Sequence, residues 1–459
     1  MSRFSALTSS QLADEKPSRL TLWPLVAATF FMVSGGAYGT EDIVRGAGYG
    51  YAILVLFLTP LLWSIPVALM VGELGAALPK EGGYYAWVRH ALGDLWGFQE
   101  AWLSLTASIF DMAIYPTLFM LYLARLFPWF SVGHRGLLAG IAVVTICAVL
   151  NIAGVNLVAN TSIWLFLLLS APFAAIVLLA PFHRGALLQT TVAAGPQIGL
   201  AGGVLVAMWN YMGWDNASTI AAAVEHPQRT YPRAMLASVS IVGLSYVLPV
   251  TAVWLTGMPA GRFDTGAWAD VAGSLGGPWL RAFMVAGAML SAFGMFNALV
   301  MSYSRLPLAM AEDGMLPRVF ARLHRRTQTP WVSIAVLAAA WALCLDLGFE
   351  RLVTLDILLY GASLVLEFVA LVALRITAPE LPRPFAVPGG LGGVLALGIG
   401  PVALLGFGLV QSGGEQIFGM HALLFGAAIL GFGFLLYALL ARFRKNIFSA
   451  ENTGPRGSS

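Results

Sequence analysis

The sequence predicts an all-α integral membrane protein of about twelve transmembrane helices, and three observations carry that prediction. Hydrophobic residues fill 59% of the 459 positions and charged residues only 10%, at a mean hydropathy of +0.80. A soluble domain carries about 25% charged residues, so this chain has too little polar surface to face water on all sides. Apolar runs of roughly 20 residues, the length that crosses hydrocarbon, recur along the chain between short charge-bearing loops. Lysine and arginine are shared unequally between alternate loops.

Taken in order, the runs place spans at roughly 22–47, 51–78, 95–126, 136–154, 161–181, 197–225, 234–256, 278–303, 331–348, 352–374, 391–410 and 420–441. The third, sixth and eighth are longer than a crossing requires and are expected to tilt or break. The ninth and tenth are separated by little more than Glu350 and Arg351. The first residues hold Arg3, Asp14, Glu15, Lys16 and Arg19, without the apolar core and small-residue cleavage site of a secretory signal. A cytoplasmic tail over 1–21, leading straight into the first span, is the expectation.

With an inside amino terminus, 18 of the 25 lysines and arginines fall on the inner side and seven on the outer. An even number of spans returns the chain to the cytoplasm, leaving 442–459 as a second inner tail. The expected location is the plasma (cell inner) membrane, with both termini cytoplasmic.

Composition narrows the function. The net charge of +3 is small and the basic residues sit in short clusters, which makes no nucleic-acid stripe. Cys147 and Cys344 lie inside apolar runs as small hydrophobes. The six histidines lack metal-ligand spacing, so neither a metal nor a cofactor is expected. No Gly-x-x-x-x-Gly-Lys loop occurs, which argues against direct use of nucleotide energy. The basic run Arg318 to Arg326 is the positive-inside signal.

Two spans are interrupted near their middles. The first runs from Leu22 to Met32, then through Val33-Ser34-Gly35-Gly36-Ala37-Tyr38-Gly39 to Thr40-Glu41-Asp42. The sixth repeats the event at Trp209-Asn210-Tyr211-Met212-Gly213-Trp214-Asp215-Asn216, before the helix-compatible Ala217 to Val224. Glycine is poor helix interior, and irregular backbone at membrane depth is tolerated only inside protein or along a cavity. Matched interruptions at the openings of two halves point to a transporter's central site. Spans one to five (about 22–181) and six to ten (about 197–374) form two five-helix units. The odd number inverts the second relative to the first, and 391–441 supplies two further helices. Each break frees amides on one half-helix and carbonyls on the other, suited to anions and to cations respectively.

Charged groups inside spans are costly and tend to be functional. Here they are Glu41, Asp42, Glu73, Glu100, Asp111, Asp215, Asp346, Asp356 and Glu367, against Arg45, Arg125 and Arg281 near outer ends. Glu73, Glu100 and Asp346 belong near surfaces, while Asp42, Asp111 and Asp215 are candidates for function. They can bind a cationic substrate such as a diamine, or carry a coupling proton.

Four stretches resemble the amino acid–polyamine–organocation transporters, in particular the plant-type polyamine uptake branch. They are Ser34-Gly35-Gly36 with Gly39-Thr40-Glu41-Asp42; Glu73-Leu74-Gly75 through Pro79, Gly82, Gly83 and Tyr84; Trp214-Asp215-Asn216-Ala217-Ser218-Thr219 with Glu225-His226-Pro227; and Ser304-Arg305 through Asp313-Gly314 and Leu316-Pro317. Arg383-Pro384-Phe385 adds a weaker match. The resemblance implies a LeuT-like 5+5 inverted repeat with discontinuous helices 1 and 6, working by alternating access. Carried onto this chain, it marks Ser34, Gly35, Gly36, Gly39, Asp42, Asp111, Tyr211, Gly213, Trp214 and Asp215 as candidate substrate-binding residues. Glu41 and Asp215 are the candidate coupling residues.

Arg45 departs from the family pattern and puts a positive charge near the outer mouth. The fifth span has no lysine, so a lysine-based coupling device of some relatives is absent. The expected function is secondary active transport of an amino acid or polyamine, as proton- or other cation-coupled symport or as exchange. A channel or a transporter-like sensor is the competing class; no catalytic constellation suggests an enzyme.

Overall fold

The computed structural model describes residues 21–79, 82–154, 162–184, 199–216, 224–412, 416–417 and 419–452. Its first predicted span is two helices. Helix α1 (Leu22–Val33) stops where Gly35 and Gly36 take φ of +61° and +115°, angles that L side chains avoid. A Cβ on Gly35 would also collide with the side chains of Met295 and Ser291, so the break is fixed sterically as well.

The chain resumes as α2 (Glu41–Thr59), which bends at Gly48 (φ 74°, ψ 163°), where the sequence placed the boundary between the first two spans. A π-helical turn, Pro60–Ser64, then leads into α3 (Ile65–Ala77). Proline removes an N–H from the helical ladder, and the widened turn accommodates the loss. A short helix, α4 (Gly83–Leu92), precedes α5 (Asp94–Leu126), whose 33 residues span roughly 50 Å at 1.5 Å per residue. Helices α6 (Arg135–Ile152) and α7 (Ser162–Leu179) follow.

Helix α8 (Gly199–Asn210) comes next, followed by non-helical backbone in which Gly213 has φ 89°. The helix expected over 217–224 lies, but for Val224, outside the described residues. Helix α9 (Pro227–Leu255) starts seven residues before the predicted 234, because Pro227 suits a first helical turn. Helix α10 (Ala267–Glu312) bends at Gly277 (φ 75°, ψ −170°), so the predicted eighth span is its second part and the first part is a surface cap. Helix α11 (Trp331–Leu343) is parted from α12 (Phe349–Thr377) by a 3₁₀ turn and by Gly348 at φ 81°. Helices α13 (Gly390–Ser412) and α14 (Ala422–Asn452) flank a hairpin of two two-residue strands, β1 (Gln416–Ile417) and β2 (Met420–His421).

Among the described residues, nine helical stretches are long and apolar enough to cross a membrane, and Leu22–Val33 and Trp331–Leu347 are shorter apolar helices. The fold is the all-helical membrane architecture that the composition predicts. Helices α5 and α12 form its central pair, with α10 packed on α5. The outermost element is α14: 6% of its apolar window is buried, against 72% for α5, so its surface is built for lipid. It docks through Gln99 and Trp102 of α5, which donate to Leu430 O and Ile429 O at 2.9 Å each.

Opposite ends of α5 carry different ion-pair clusters. Near its start, buried Glu73 accepts two hydrogen bonds of 2.6 Å from Arg375 and one of 2.7 Å from Val387 N, with Arg383 at 3.3 Å. Arg383 also donates to Leu374 O and Ala378 O, closing the C-terminus of α12. Arg89 there pairs with Asp94 and Asp313, and Tyr85 donates to Asp313 at 2.8 Å. Burial opposes the charged Arg89, but its bonds to Asp94 and Asp313 outweigh that and raise its pKa. At the far end, Arg125 holds Asp264 (2.7 Å) and Asp270 (3.0 Å), and Arg281 joins Asp270 at 3.2 Å.

Candidate functional site

The break after α1 and the non-helical segment after α8 face each other across a cavity walled by α5, α10 and α12. Met32, Val33, Ser34 and Tyr38 come from the first break, and Trp209, Asn210, Met212, Gly213 and Asn216 from the second. Helix α5 contributes Asp111, Tyr115, Leu118 and Tyr122, spaced i, i+4, i+7 and i+11 on one helical face. Ala288, Ser291, Ala292, Met295 and Tyr303 of α10, with Asp356 and Tyr360 of α12, close the wall.

Both irregular segments are held from outside. Ser291 Oγ donates to Gly35 O (2.7 Å), Trp268 Nε1 to Ala37 O (2.9 Å) and Tyr38 OH to Met284 O (3.3 Å). Tyr246 OH donates to Asn210 O (2.8 Å), and Tyr211 OH to Leu56 O (2.8 Å). Carbonyls and amides that leave a helical ladder need such partners when buried.

The cavity is acidic and aromatic. Asp111 accepts from Trp209 Nε1 (3.3 Å), Tyr115 OH (3.3 Å) and Tyr303 OH (3.2 Å). Asp356 is buried, and its Oδ2 has no hydrogen-bond partner among the described residues. Asp215 lies just behind the lining and accepts a 2.6 Å bond from Tyr360 OH. The charges of Asp111 and Asp215 both reach Asp356, and among the described residues none of the three has an arginine or lysine partner. Helices α1 and α8 both end at the cavity, presenting the negative ends of their dipoles.

Of the residues singled out from sequence, Ser34, Asp111 and Gly213 line this cavity. Gly35, Gly36 and Gly39 shape the first break from behind; Gly36 N donates to Ser34 Oγ (3.1 Å) and Gly39 N to Glu41 Oε2 (2.7 Å). Glu41 also accepts from Tyr122 OH and Gly266 N, so the surface cap secures it. Asp42 accepts from Thr265 and pairs with Arg45 at 3.7 Å, away from the cavity. Tyr211 and Trp214 are buried packing, with Trp214 Nε1 donating to Tyr211 O (2.7 Å). Among the described residues, Tyr360 is the wall residue that hydrogen-bonds Asp215.

The cavity adds Asp356, Tyr303, Tyr360 and Trp209 to that set. A signal for two of them was present: Asp111 and Asp356 are each followed four residues later by a tyrosine, the spacing that puts both side chains on one helical face. Tyr303 and Trp209 have no such mark.

A family profile described as amino acid permease matches residues 26–441. The chain belongs to the amino acid permease family. This permease is therefore a membrane transporter and not an enzyme. It is 36% identical over 407 residues to the polyamine transporter RMV1 of Arabidopsis thaliana, covering 87% of this chain and 82% of that protein. It is 36% identical over 399 residues to the polyamine transporter PUT1 of Oryza sativa subsp. japonica, covering 86% and 74%. Over 383 residues it is 25% identical to the serine/threonine exchanger SteT of Bacillus subtilis (strain 168), covering 80% and 84%. The permease's Arg45, the departure noted in sequence, is partnered by Asp42.

Proposed function

We propose that this permease carries a polyamine, its ammonium groups held between Asp111 and Asp356, by alternating access across the plasma membrane. The observation that carries the proposal is the unpartnered Oδ2 of buried Asp356 in a cavity shared with Asp111. A buried acceptor without a donor is costly, and an ammonium group supplies donors and the opposite charge together. Tyr115, Trp209 and Tyr303 add aromatic faces suited to a desolvated cation.

An amino acid carboxylate fits this site less well. It would face Asp111 and Asp356, which have no basic partner among the described residues, and Gly36 N and Gly39 N already serve Ser34 and Glu41. The names of the plant relatives support the same substrate class. We assign the start of α5, with its Arg89 and Arg375 clusters, to the cytoplasmic side, as the distribution of lysine and arginine favours. Both termini are then cytoplasmic. We further assign coupling to a proton, with Asp215 placed to sense the cavity through Tyr360.

Uptake of labelled putrescine into proteoliposomes, competed with spermidine and with neutral, basic and acidic amino acids, tests the proposal. Polyamines should compete and neutral amino acids should not. Competition by neutral amino acids alone would overturn it, and uptake that needs internal substrate but no proton gradient would replace symport by exchange.

A further inference from the structure

A second pair of acids sits below the cavity. Glu100 and Glu367 are both fully buried, and neither lines the cavity. Glu100 precedes Asp111 by eleven residues on α5, and Glu367 follows Asp356 by eleven on α12. Eleven residues are three turns, about 16 Å along each helix, so each glutamate shares a face with its aspartate. The two helices pack against each other, which makes two carboxyl rungs: Asp111 with Asp356 at the cavity, Glu100 with Glu367 toward α4.

The lower rung is unsatisfied. Ser104 Oγ donates to Glu100 Oε1 at 2.7 Å, but Glu100 Oε2 and both oxygens of Glu367 lack partners among the described residues. Neither glutamate has an arginine, lysine or histidine partner there. Each glutamate is within electrostatic reach of the other rung member or of Asp215, and Tyr84 of α4 feels all three acids. Tyr231 of α9 feels Asp215, and Tyr360 donates to it from the cavity wall. The cavity wall is therefore joined to Asp215 by the Tyr360 hydrogen bond, and Asp215 in turn lies within electrostatic reach of this rung.

We infer that Glu100 and Glu367 are the proton-carrying pair of the transport cycle. The inference rests on the reading of proton-coupled polyamine transport given above. Two bare carboxylates in a dry, low-dielectric space repel each other strongly, so the closed rung holds one proton shared between them. When water enters from the α4 side, one carboxyl O–H breaks, the proton passes to water, and the rung is left doubly ionised. The unloaded carrier then turns over with the rung still hydrated and ionised, and a proton that enters from the opposite face by way of the cavity re-forms the O–H, so one proton crosses with each substrate. The ammonium site and the proton site are separate, which permits both to be occupied in one symport step.

Wild type, Glu100→Gln and Glu367→Gln in proteoliposomes test this through three readouts: spermidine-induced thermal stabilisation, spermidine counterflow without a gradient, and pH-gradient-driven accumulation with proton movement followed by an internal dye. The inference expects both variants to keep stabilisation and counterflow and to lose driven accumulation and proton movement. Driven accumulation at the wild-type level in either variant would overturn it. Loss of spermidine stabilisation would also overturn it, by making the rung part of the substrate site. If wild type itself neither accumulates substrate on a pH gradient nor moves protons, the coupled-transport reading fails and the inference falls with it. Should the variants not fold, infrared difference spectra of wild type with isotope-labelled glutamate decide: a protonated-glutamate band that responds to pH on one side supports the pair, and no such band refutes it.

Discussion

At the scale of single residues, the cavity separates acids by what they touch. Asp111 is held by three donors, so its carboxylate is oriented before any substrate arrives. Asp356 offers an oxygen that nothing in the wall satisfies. Glu41 and Asp42, equally acidic and equally buried, are already engaged by the surface cap and by Arg45. Sequence alone favoured Asp42 and Asp111, kept Glu41 for coupling and gave Asp356 no role, because a carboxylate in an apolar run has the same cost whatever its later partners. Tyr303→Phe should remove one of Asp111's three donors at a cost of about 1 kcal/mol, weakening polyamine affinity roughly fivefold without unfolding the protein. Isothermal titration with spermidine checks this, and an unchanged affinity would remove Tyr303 from the site.

At the scale of elements, the decisive features are the places where helices stop. The first break was legible because Gly35, Gly36 and Gly39 cluster within five residues, a density that helix interiors do not carry. Its partners were not legible: Ser291 and Trp268, which hold its carbonyls, lie more than 230 residues away in the chain. The first part of α10, before the bend at Gly277, and the early start of α9 were missed for a different reason: each is shorter than a crossing or carries charged residues, so hydropathy sets no boundary there. Gly35→Ala should be poorly tolerated. It forces a side chain into φ +61° and against Met295 and Ser291, costing about 1–3 kcal/mol in strain. A lowered melting temperature in detergent, with transport lost, is the expected outcome; wild-type behaviour in both would mean that the break is not held as described.

At the scale of the whole molecule, composition sufficed for the membrane and for the all-helical class, because a chain with so few charged residues has too little polar surface for water. Composition gave no sign that Glu73 and Arg383, far apart in the chain, would meet. Those residues, which the family resemblance marked separately, meet in one cluster that ties α3 to the end of α12. The same folding aligns α5 with α12 and so stacks the two carboxyl rungs. The molecule is thus a scaffold of long helices whose interior, between the two arginine clusters, holds acids without basic partners among the described residues. Such an interior selects for positive charge.

That selection is tested most directly by titrating spermidine and a neutral amino acid onto the purified permease and its Asp356→Asn variant. Wild type should bind spermidine saturably and the neutral amino acid not at all. The variant should bind spermidine roughly thirtyfold more weakly, as expected for losing one charged hydrogen bond worth about 2 kcal/mol. Equal spermidine affinity in the two proteins, or binding of the neutral amino acid alone, would contradict a cation site built on Asp111 and Asp356.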